Sequence, residues 1–255
     1  VSRLIYWMGD ENRGVNPKAI DFLKQMNAGL HALHPSAMLI AEDSTAYPHV
    51  TKPVNEGGLG FDYKWDLGWM NDTLDYMMKT SDERKELSGK LTFSMYYFYN
   101  ERYLLPLSHD EVVHGKRTIV DKIYGTYEEK FAQLRSLYLY MMMHPGKKLN
   151  FMGNEIAMFR EWDEEKELDW FLLKYPMHDA FHHYFETLGK IYQNTPQLYE
   201  WDDDPRSFEW ITINDKQNNV YGFQRLAGTL KPVAAFFNFS NKTQTIHTED
   251  KWVLR

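Results

Sequence analysis

The chain alternates between segments whose apolar residues recur every three or four positions and short runs that are apolar throughout. The first periodic segment predicts a helix over residues 16–33, with Asn16 as its N-cap and Pro17 at its first helical position. The same spacing predicts a second helix capped by Asn71 or Asp72. The predicted helices after the first span residues 71–78, 127–144 and 179–193.

Four predicted strands lie among these helices, over residues 37–41, 61–65, 104–107 and 149–152, and residues 37–41 are apolar throughout. A strand that is buried on both faces of a parallel sheet is apolar throughout, whereas a strand with one exposed face alternates. Strands interleaved with helices predict a parallel sheet with right-handed crossover connections. We therefore expect an α/β fold.

The pattern changes near Trp201. Three short runs rich in β-branched and aromatic residues follow, and turn signals such as Asn218-Asn219 and Gly228 separate them. The runs are SFEWITIN, NVYGFQRLA and VAAFFNFS. We therefore expect two domains, an α/β domain over residues 1–199 and an all-β domain over residues 200–255.

Carboxylates follow three of the four predicted strands, at Glu42, Asp110 and Glu155. In α/β barrels the groups that do chemistry gather at the carboxyl ends of the strands. Two carboxyl groups, one of which donates a proton to the leaving oxygen, are the groups that cleave a glycosidic bond. Acids after strands also serve as helix caps, so the residues alone leave both interpretations open. Asp43 and Glu111 are candidates for capping or supporting roles.

A histidine and two tryptophans extend the candidate site. His109 precedes Asp110 and could orient that carboxylate or bind a substrate hydroxyl, with a structural role as the alternative. Aromatic residues form 16% of the chain, including 8 Trp and 17 Tyr, an excess that suits either a core or flat faces for stacking on sugars. Trp65 and Trp69 are the candidate sugar platforms, and core packing is the alternative.

Composition excludes several classes of function. The net charge of -7 argues against a nucleic-acid surface, and the absence of cysteine is typical of a reducing compartment. The sequence contains no apolar run near the roughly 20 residues that cross a bilayer. Neighbouring His182 and His183 diverge on a helix, and the glycine-rich segment 57–60 lacks the lysine of a phosphate loop. We expect no metal, cofactor, nucleic-acid or membrane partner, and a cytoplasmic location.

Seven segments carry a family resemblance. In chain order they are LIAEDSTAYPHVT, GFDYKWDLGWMNDTLDYM, LTFSM, LPLSHDEVVHGK, FMGNE, REWDEEKELDW and FEWI. Together they resemble the 1,4-α-glucan (glycogen) branching enzymes of the α-amylase superfamily, over nearly the whole chain. The resemblance implies strands five to eight, the C-terminal half of a (β/α)8 barrel, followed by an incomplete β domain.

The same resemblance implies roles for the site residues. Glu42 matches the general acid/base, Asp110 the carboxylate that stabilises the transition state, and His109 the histidine that holds the sugar. The residues alone would also allow Asp110 as the nucleophile, but the resemblance does not. The weaker substrate-binding candidates are Trp65, Trp69 and Asp43.

The sequence also departs from the family in two places. The family's nucleophilic aspartate ends the fourth strand, just upstream of the segment that matches residues 1–3, so we expect the nucleophile to lie outside this sequence and the chain alone to be inactive. After Glu155 the family usually continues with an aromatic residue and Gly-Gln, whereas residues 156–158 are Ile, Ala and Met. This second departure leaves open how the loop would contact an acceptor.

The activity implied by the resemblance is retaining cleavage of an α-1,4-glucan and transfer of the chain to a 6-hydroxyl, which forms an α-1,6 branch in glycogen. Two alternatives remain, a hydrolase of the same superfamily and a non-catalytic glucan-binding fragment. Half a barrel has two open strand edges and an apolar inner face, so we also expect self-association or pairing with the amino-terminal half.

Overall fold

The computed structural model describes residues 1–215 and 217–246, so the predicted β segment beyond residue 246 lies outside the described residues. The α-helices are α1 (Ser2–Ile5), α2 (Pro17–Leu33), α3 (Leu67–Met77), α4 (Ser81–Glu86), α5 (Ser88–Thr92), α6 (Ile119–Lys122), α7 (Tyr127–Met143) and α8 (Pro176–Gln193). The strands are β1 (Ile40–Ala41), β2 (Tyr63–Trp65), β3 (Tyr103–Leu107), β4 (Lys147–Asn150), β5 (Phe208–Asp215), β6 (Val220–Arg225) and β7 (Val233–Asn238).

The first four strands form one parallel sheet in the order β1-β2-β3-β4. Ala41 pairs with Lys64, Trp65 with Leu104, and Leu107 with Asn150. Strand order therefore follows chain order, which confirms the predicted α/β fold with a parallel sheet. The placement of these strands as five to eight of a barrel stays a prediction.

Helix α2 follows the sequence pattern closely, whereas α3 does not. The side chain of Asn16 accepts a hydrogen bond from the backbone N–H of Ala19, as the predicted cap should. Helix α3 begins four residues earlier than predicted, because the carboxylate of Asp66 accepts from the backbone N–H of Trp69 at 2.8 Å. Asp66 directly follows β2, so the chain passes from strand to helix through this single capping residue. The predicted cap at Asn71 or Asp72 is wrong.

Strand β4 also begins earlier than the apolar run that predicted it. Two lysines occupy its first positions, and the structure satisfies both ammonium groups within the protein. Lys147 lies 3.0 Å from a carboxylate oxygen of Asp202, and Lys148 donates to the carbonyl oxygens of His144 and Gly146. These bonds offset the hydration that the two ammonium groups lose on burial. Two lysines therefore fit in a strand that was predicted from an apolar run.

The last three strands form an antiparallel sheet in the order β5-β6-β7. This sheet packs on helix α7, where the ring of Tyr140 lies 5.6 Å from that of Phe237. The buried guanidinium of Arg225 donates to the carbonyl oxygen of Met143 and to Asp202 at 2.7 Å. Apolar residues of the helices and of this sheet thus share one core. The division at residue 200 stays a prediction.

Candidate active site

The end of β1 carries two consecutive carboxylates that face opposite ways. Glu42 is exposed, whereas the side chain of Asp43 has no accessible surface. Successive side chains of an extended segment point to opposite faces, which explains the contrast. Asp43 lies 2.9 Å from the ammonium group of Lys64, and the Thr45 hydroxyl donates to its carboxylate at 3.0 Å.

The Asp43–Lys64 pair fixes the end of β1 against β2. Lys64 is also buried, and its ammonium group donates to the carbonyl oxygen of Thr45 at 2.8 Å. A buried ion pair is retained only when further hydrogen bonds satisfy its remaining groups, as they do here. Asp43 therefore supports the backbone on which Glu42 stands, and its predicted contact with substrate stays a prediction.

The end of β3 presents His109 and Asp110 to solvent as a pair. A single 3-10 turn, His109–Glu111, follows the strand, and the Ser108 hydroxyl accepts a hydrogen bond from the backbone N–H of Asp110 at 3.3 Å. Nε2 of His109 lies 3.2 Å from Oδ1 of Asp110, and each side chain is 47% exposed. The imidazole also lies 5.8 Å from the ring of Phe151, which orients it.

The loop after Asp110 is held from two sides. On one side the buried ammonium group of Lys122 donates to the carbonyl oxygens of Glu111 and Arg117, and burial lowers the pKa of Lys122 to about 8. On the other side the carboxylate of Glu161 accepts from the backbone N–H groups of Gly115 and Arg117, at 2.9 and 2.6 Å. The His109–Asp110 turn therefore rests on a supported backbone.

Asp66 is a strand-end carboxylate that the sequence analysis did not count. Its Oδ1 accepts from the Trp69 backbone N–H and from the Tyr97 hydroxyl, at 2.8 and 2.7 Å. Burial raises the pKa of Asp66 to about 6. The rule that selected Glu42 and Asp110, an acid close to the end of a predicted strand, would also have found it.

The two candidate sugar platforms differ in exposure. Trp65 is half-buried and lines a cavity of about 500 Å³ at the ends of β1 and β2. Trp69 is 1% exposed and stacks on Tyr140 with ring centroids 6.3 Å apart. Since neither face of Trp69 is open to a ligand, it is a core residue rather than a sugar platform.

A second cavity, of about 560 Å³, lies beside His109 and is lined by His114, Glu161 and Trp162 among others. Glu155, the third predicted strand-end acid, bonds within its own loop and accepts from the backbone N–H of Gly153 at 2.8 Å. The structure thus pairs His109 with Asp110, whereas the Glu155 carboxylate bonds the backbone of its own loop. Among residues 1–215 and 217–246 no cluster of side chains is arranged to bind a metal, and no helix is long and apolar enough to span a bilayer.

The fold is similar to that of a solved structure. It is similar to an α-amylase from Anoxybacillus, with a TM-score of 0.59 and 16% sequence identity over 88% of this chain and 46% of that one. At this low identity the likeness defines the fold, a mixed α/β arrangement of the α-amylase type. No family model matches the sequence.

Sequence comparison gives relatives that share one name. Three proteins named 1,4-alpha-glucan branching enzyme GlgB are similar to this chain: that of Bacillus caldolyticus at 48% identity over 225 residues, that of Oceanobacillus iheyensis at 48% over 236, and that of Bacillus subtilis at 46% over 225. These matches cover 88%, 92% and 88% of this chain and 34%, 37% and 36% of the relatives, so the chain spans about a third of their length. The predicted resemblance to 1,4-α-glucan branching enzymes is confirmed.

Proposed function

We propose that this chain is part of a 1,4-α-glucan branching enzyme that cleaves an α-1,4-glucan with retention and transfers the cut chain to a 6-hydroxyl. The observation that carries the proposal is the presence of an exposed carboxylate, Glu42, and an exposed His109–Asp110 pair after two strands of one parallel sheet. The carboxyl ends of parallel strands share one edge, which is where α/β barrel enzymes carry their catalytic groups. The names of the relatives support this choice of reaction.

Glu42 is the proposed general acid and then the general base. As an acid it gives its proton to the glycosidic oxygen as the bond to the anomeric carbon breaks. As a base it then takes the proton from the acceptor's 6-hydroxyl while that oxygen attacks the covalent glycosyl-enzyme. Its exposure suits both steps, because two different sugar oxygens must reach the same carboxyl group in turn.

Asp110 and His109 are the proposed sugar-holding pair. An ionised Asp110 stabilises the positive charge that develops on the oxocarbenium-like transition state, and it accepts hydrogen bonds from sugar hydroxyls. His109 donates to a further hydroxyl. The support given to the following loop by Lys122 and Glu161 keeps this pair in place without occupying either side chain.

The covalent step requires a nucleophile that we do not assign to any residue of this sequence. The family resemblance gives that role to an aspartate on a preceding strand. We therefore expect the 255-residue chain to lack transferase activity by itself, and to acquire it with the segment that carries this aspartate.

The test is an iodine-stain branching assay on amylose, run on the chain alone and on a longer protein that includes the preceding family segment. We expect new α-1,6 linkages with the longer protein, and their loss in Glu42→Gln. Hydrolysis without new linkages would favour the amylase-like alternative. Activity of the chain alone would show that one of its own carboxylates is the nucleophile, and the role of Asp110 would have to be reassigned.

The sheet edges support a proposal about assembly. Within the part of the chain that the structure describes, β1 and β4 are the two edges of the parallel sheet. Met38 and Ile40 at one edge and Met152 near the other are 61%, 37% and 50% exposed. Open edges with apolar neighbours favour pairing with another chain, here the amino-terminal half or a second copy. Light scattering of the chain alone should show self-association, and a monodisperse monomer would contradict this.

A further inference from the structure

We propose that a cavity between α4, α7 and the turn after β7 binds a phosphate group, either the free ion or a small phosphate monoester, against the buried guanidinium of Arg84. The cavity measures about 200 Å³. None of the residues that line it has a catalytic or sugar-binding role above, so this proposal does not depend on the proposed activity.

Arg84 brings to this cavity a positive charge that no carboxylate neutralises. The residue is 2% exposed, and its guanidinium donates to neutral oxygens of Tyr76, Met77, Gln133 and Phe239. Among residues 1–215 and 217–246 it has no carboxylate partner, and burial lowers its pKa. Four of its five N–H groups are used in this way, which leaves one on Nη1 for a ligand. A buried charge of this kind gains by pairing with an anion.

Two hydroxyl groups in the cavity wall are further donors. The hydroxyl of Ser81 accepts from the side-chain amide of Asn219 at 3.3 Å, so its own proton can be donated to a ligand. The hydroxyl of Ser136 donates to the carbonyl oxygen of Ala132 at 3.5 Å, a long bond that it can exchange for a better acceptor. A guanidinium N–H group and two hydroxyl groups suit the oxygens of a tetrahedral oxyanion.

A second cation lies beside the cavity. The side-chain amide of Asn238 donates to the carbonyl oxygen of Lys242 at 2.8 Å, which closes the turn after β7. The hydrogen bond from Lys85 and, to a smaller extent, the charge of Lys242 lower the pKa of Asp82. Lys242 therefore lies near the first turn of α4, on the side of the cavity that Ser81 lines.

The neighbouring carboxylates have partners of their own. Glu129 lines the cavity, but its carboxylate accepts from the backbone N–H of Thr126 at 2.8 Å in the capping box of α7. Asp82 lies 2.8 Å from the ammonium group of Lys85. The two cationic side chains beside the cavity therefore favour an anion over a neutral ligand.

The volume of the cavity limits the anion to a compact one. Sites for drug-sized molecules measure roughly 300–1,000 Å³, and this cavity is smaller. A phosphate group held here would contact two helices and the turn that follows the antiparallel sheet. Because a ligand stabilises the state that binds it, phosphate should strengthen the packing of this sheet on the helices.

The test is isothermal titration calorimetry of the 255-residue chain with inorganic phosphate, with chloride keeping the ionic strength constant. Ser136→Asp places a carboxylate in the cavity and should weaken binding more than about tenfold, because like charges repel strongly in a partly buried site. Ser36→Asp is the matched control, since it adds the same charge at an exposed position in the turn after α2, outside the cavity. We expect this control to bind as the unmodified chain does.

A surface variant keeps the test decisive if Ser136→Asp fails to fold. Lys242 is exposed, so Lys242→Gln should keep the fold and weaken phosphate binding about two- to fivefold, the effect expected for one exposed charge. No binding by the unmodified chain, equal binding by a folded Ser136→Asp, or unchanged binding by Lys242→Gln would each overturn the proposal.

Two further probes distinguish the sources of the phosphate group. A hexose monophosphate that binds more tightly than inorganic phosphate would assign the site to a phosphorylated small molecule, and the reverse order would assign it to the free ion. The unphosphorylated hexose should not bind here. Binding of this neutral sugar with an affinity equal to that of its phosphate would show that the site does not recognise an anion.

Discussion

The ends of β1 and β3 carry similar short sequences, Glu42-Asp43 and His109-Asp110, but the structure uses them differently. At β1 one carboxylate is exposed and its neighbour is buried in an ion pair with Lys64. At β3 both side chains are about half exposed and contact each other at 3.2 Å. Polar residues that follow a strand can therefore support the sheet or offer a reactive group. At β1 the two neighbouring residues divide these roles.

The difference comes from how each backbone segment is supported. At β1 the support is a side chain, because Asp43 itself bonds Lys64 and Thr45. At β3 the support comes from elsewhere, since Lys122 and Glu161 bind the backbone of the following loop. In both places, groups other than Glu42, His109 and Asp110 hold the nearby backbone, and the side chains of these three residues stay accessible.

The largest expected effect is a loss of activity on substitution of Glu42, which distinguishes it from the buried Asp43. In a longer protein that branches amylose, Glu42→Gln should lower kcat by about a thousandfold, because it removes the proton donor. Its unfolding free energy should change by less than about 0.5 kcal/mol, as for other exposed positions. The iodine assay and urea denaturation measure the two quantities. A stable variant with most of its activity would remove Glu42 from the mechanism.

Asp43→Asn should have the opposite profile. Removing the charge leaves the buried ammonium group of Lys64 without its partner, which should lower the unfolding free energy by about 3–5 kcal/mol. The double variant Asp43→Asn with Lys64→Met should recover much of that loss, since no buried charge remains. Urea denaturation of the three proteins checks this, and a loss below about 1 kcal/mol would mean that the pair is not structural.

A third strand-end acid, Asp66, should make the unfolding free energy depend on pH. Its pKa rises from 3.8 to about 6 on folding, so the folded chain binds more protons than the unfolded chain between these values. The stability contributed by Asp66 therefore falls as pH rises through that window. Asp66→Asn keeps a good N-cap and should gain about 2 kcal/mol over the unmodified chain at pH 8, with no gain at pH 4.

The quantity to compare is the difference in unfolding free energy between Asp66→Asn and the unmodified chain at each pH. Burial lowers the pKa of His144 to about 3, so its contribution has the opposite sign and rises with pH between about 3 and 6.5. This contribution is common to both proteins and cancels in the difference. A gain that is the same at both pH values would exclude titration of Asp66 as its cause.

The smallest expected effect is on the stability of the β3 pair. Even an exposed ion pair contributes only about 0.2–1 kcal/mol, so loss of the exposed His109–Asp110 contact in His109→Ala should change the unfolding free energy by less than about 1 kcal/mol. Maltoheptaose affinity should nevertheless fall, because the proposed sugar contact is lost. Thermal unfolding and calorimetry on the same samples give both values. A large loss of stability would place His109 in the fold rather than in the site.

Much of the architecture could be predicted because it depends on local patterns. Asn16-Pro17 begins α2 where a cap and a first-turn proline should, and the apolar run 104–107 lies within β3. Helix α7 begins one residue after Thr126, whose side chain and that of Glu129 form a capping box. Each of these signals involves residues within one turn or one strand, so the sequence carries it without reference to the rest of the fold.

The sequence by itself determined the α/β order of elements, the change to β structure near residue 200, and the carboxylates that follow β1 and β3. Tertiary structure alone decided which of the candidate site residues are exposed to solvent. Asp43 is closed by Lys64, Trp69 by Tyr140, and Asp66 is bonded by Tyr97, in each case through a contact between segments that are separate along the chain. Periodicity reports the face on which a residue lies, whereas exposure depends on what covers that face, and only the folded chain determines this.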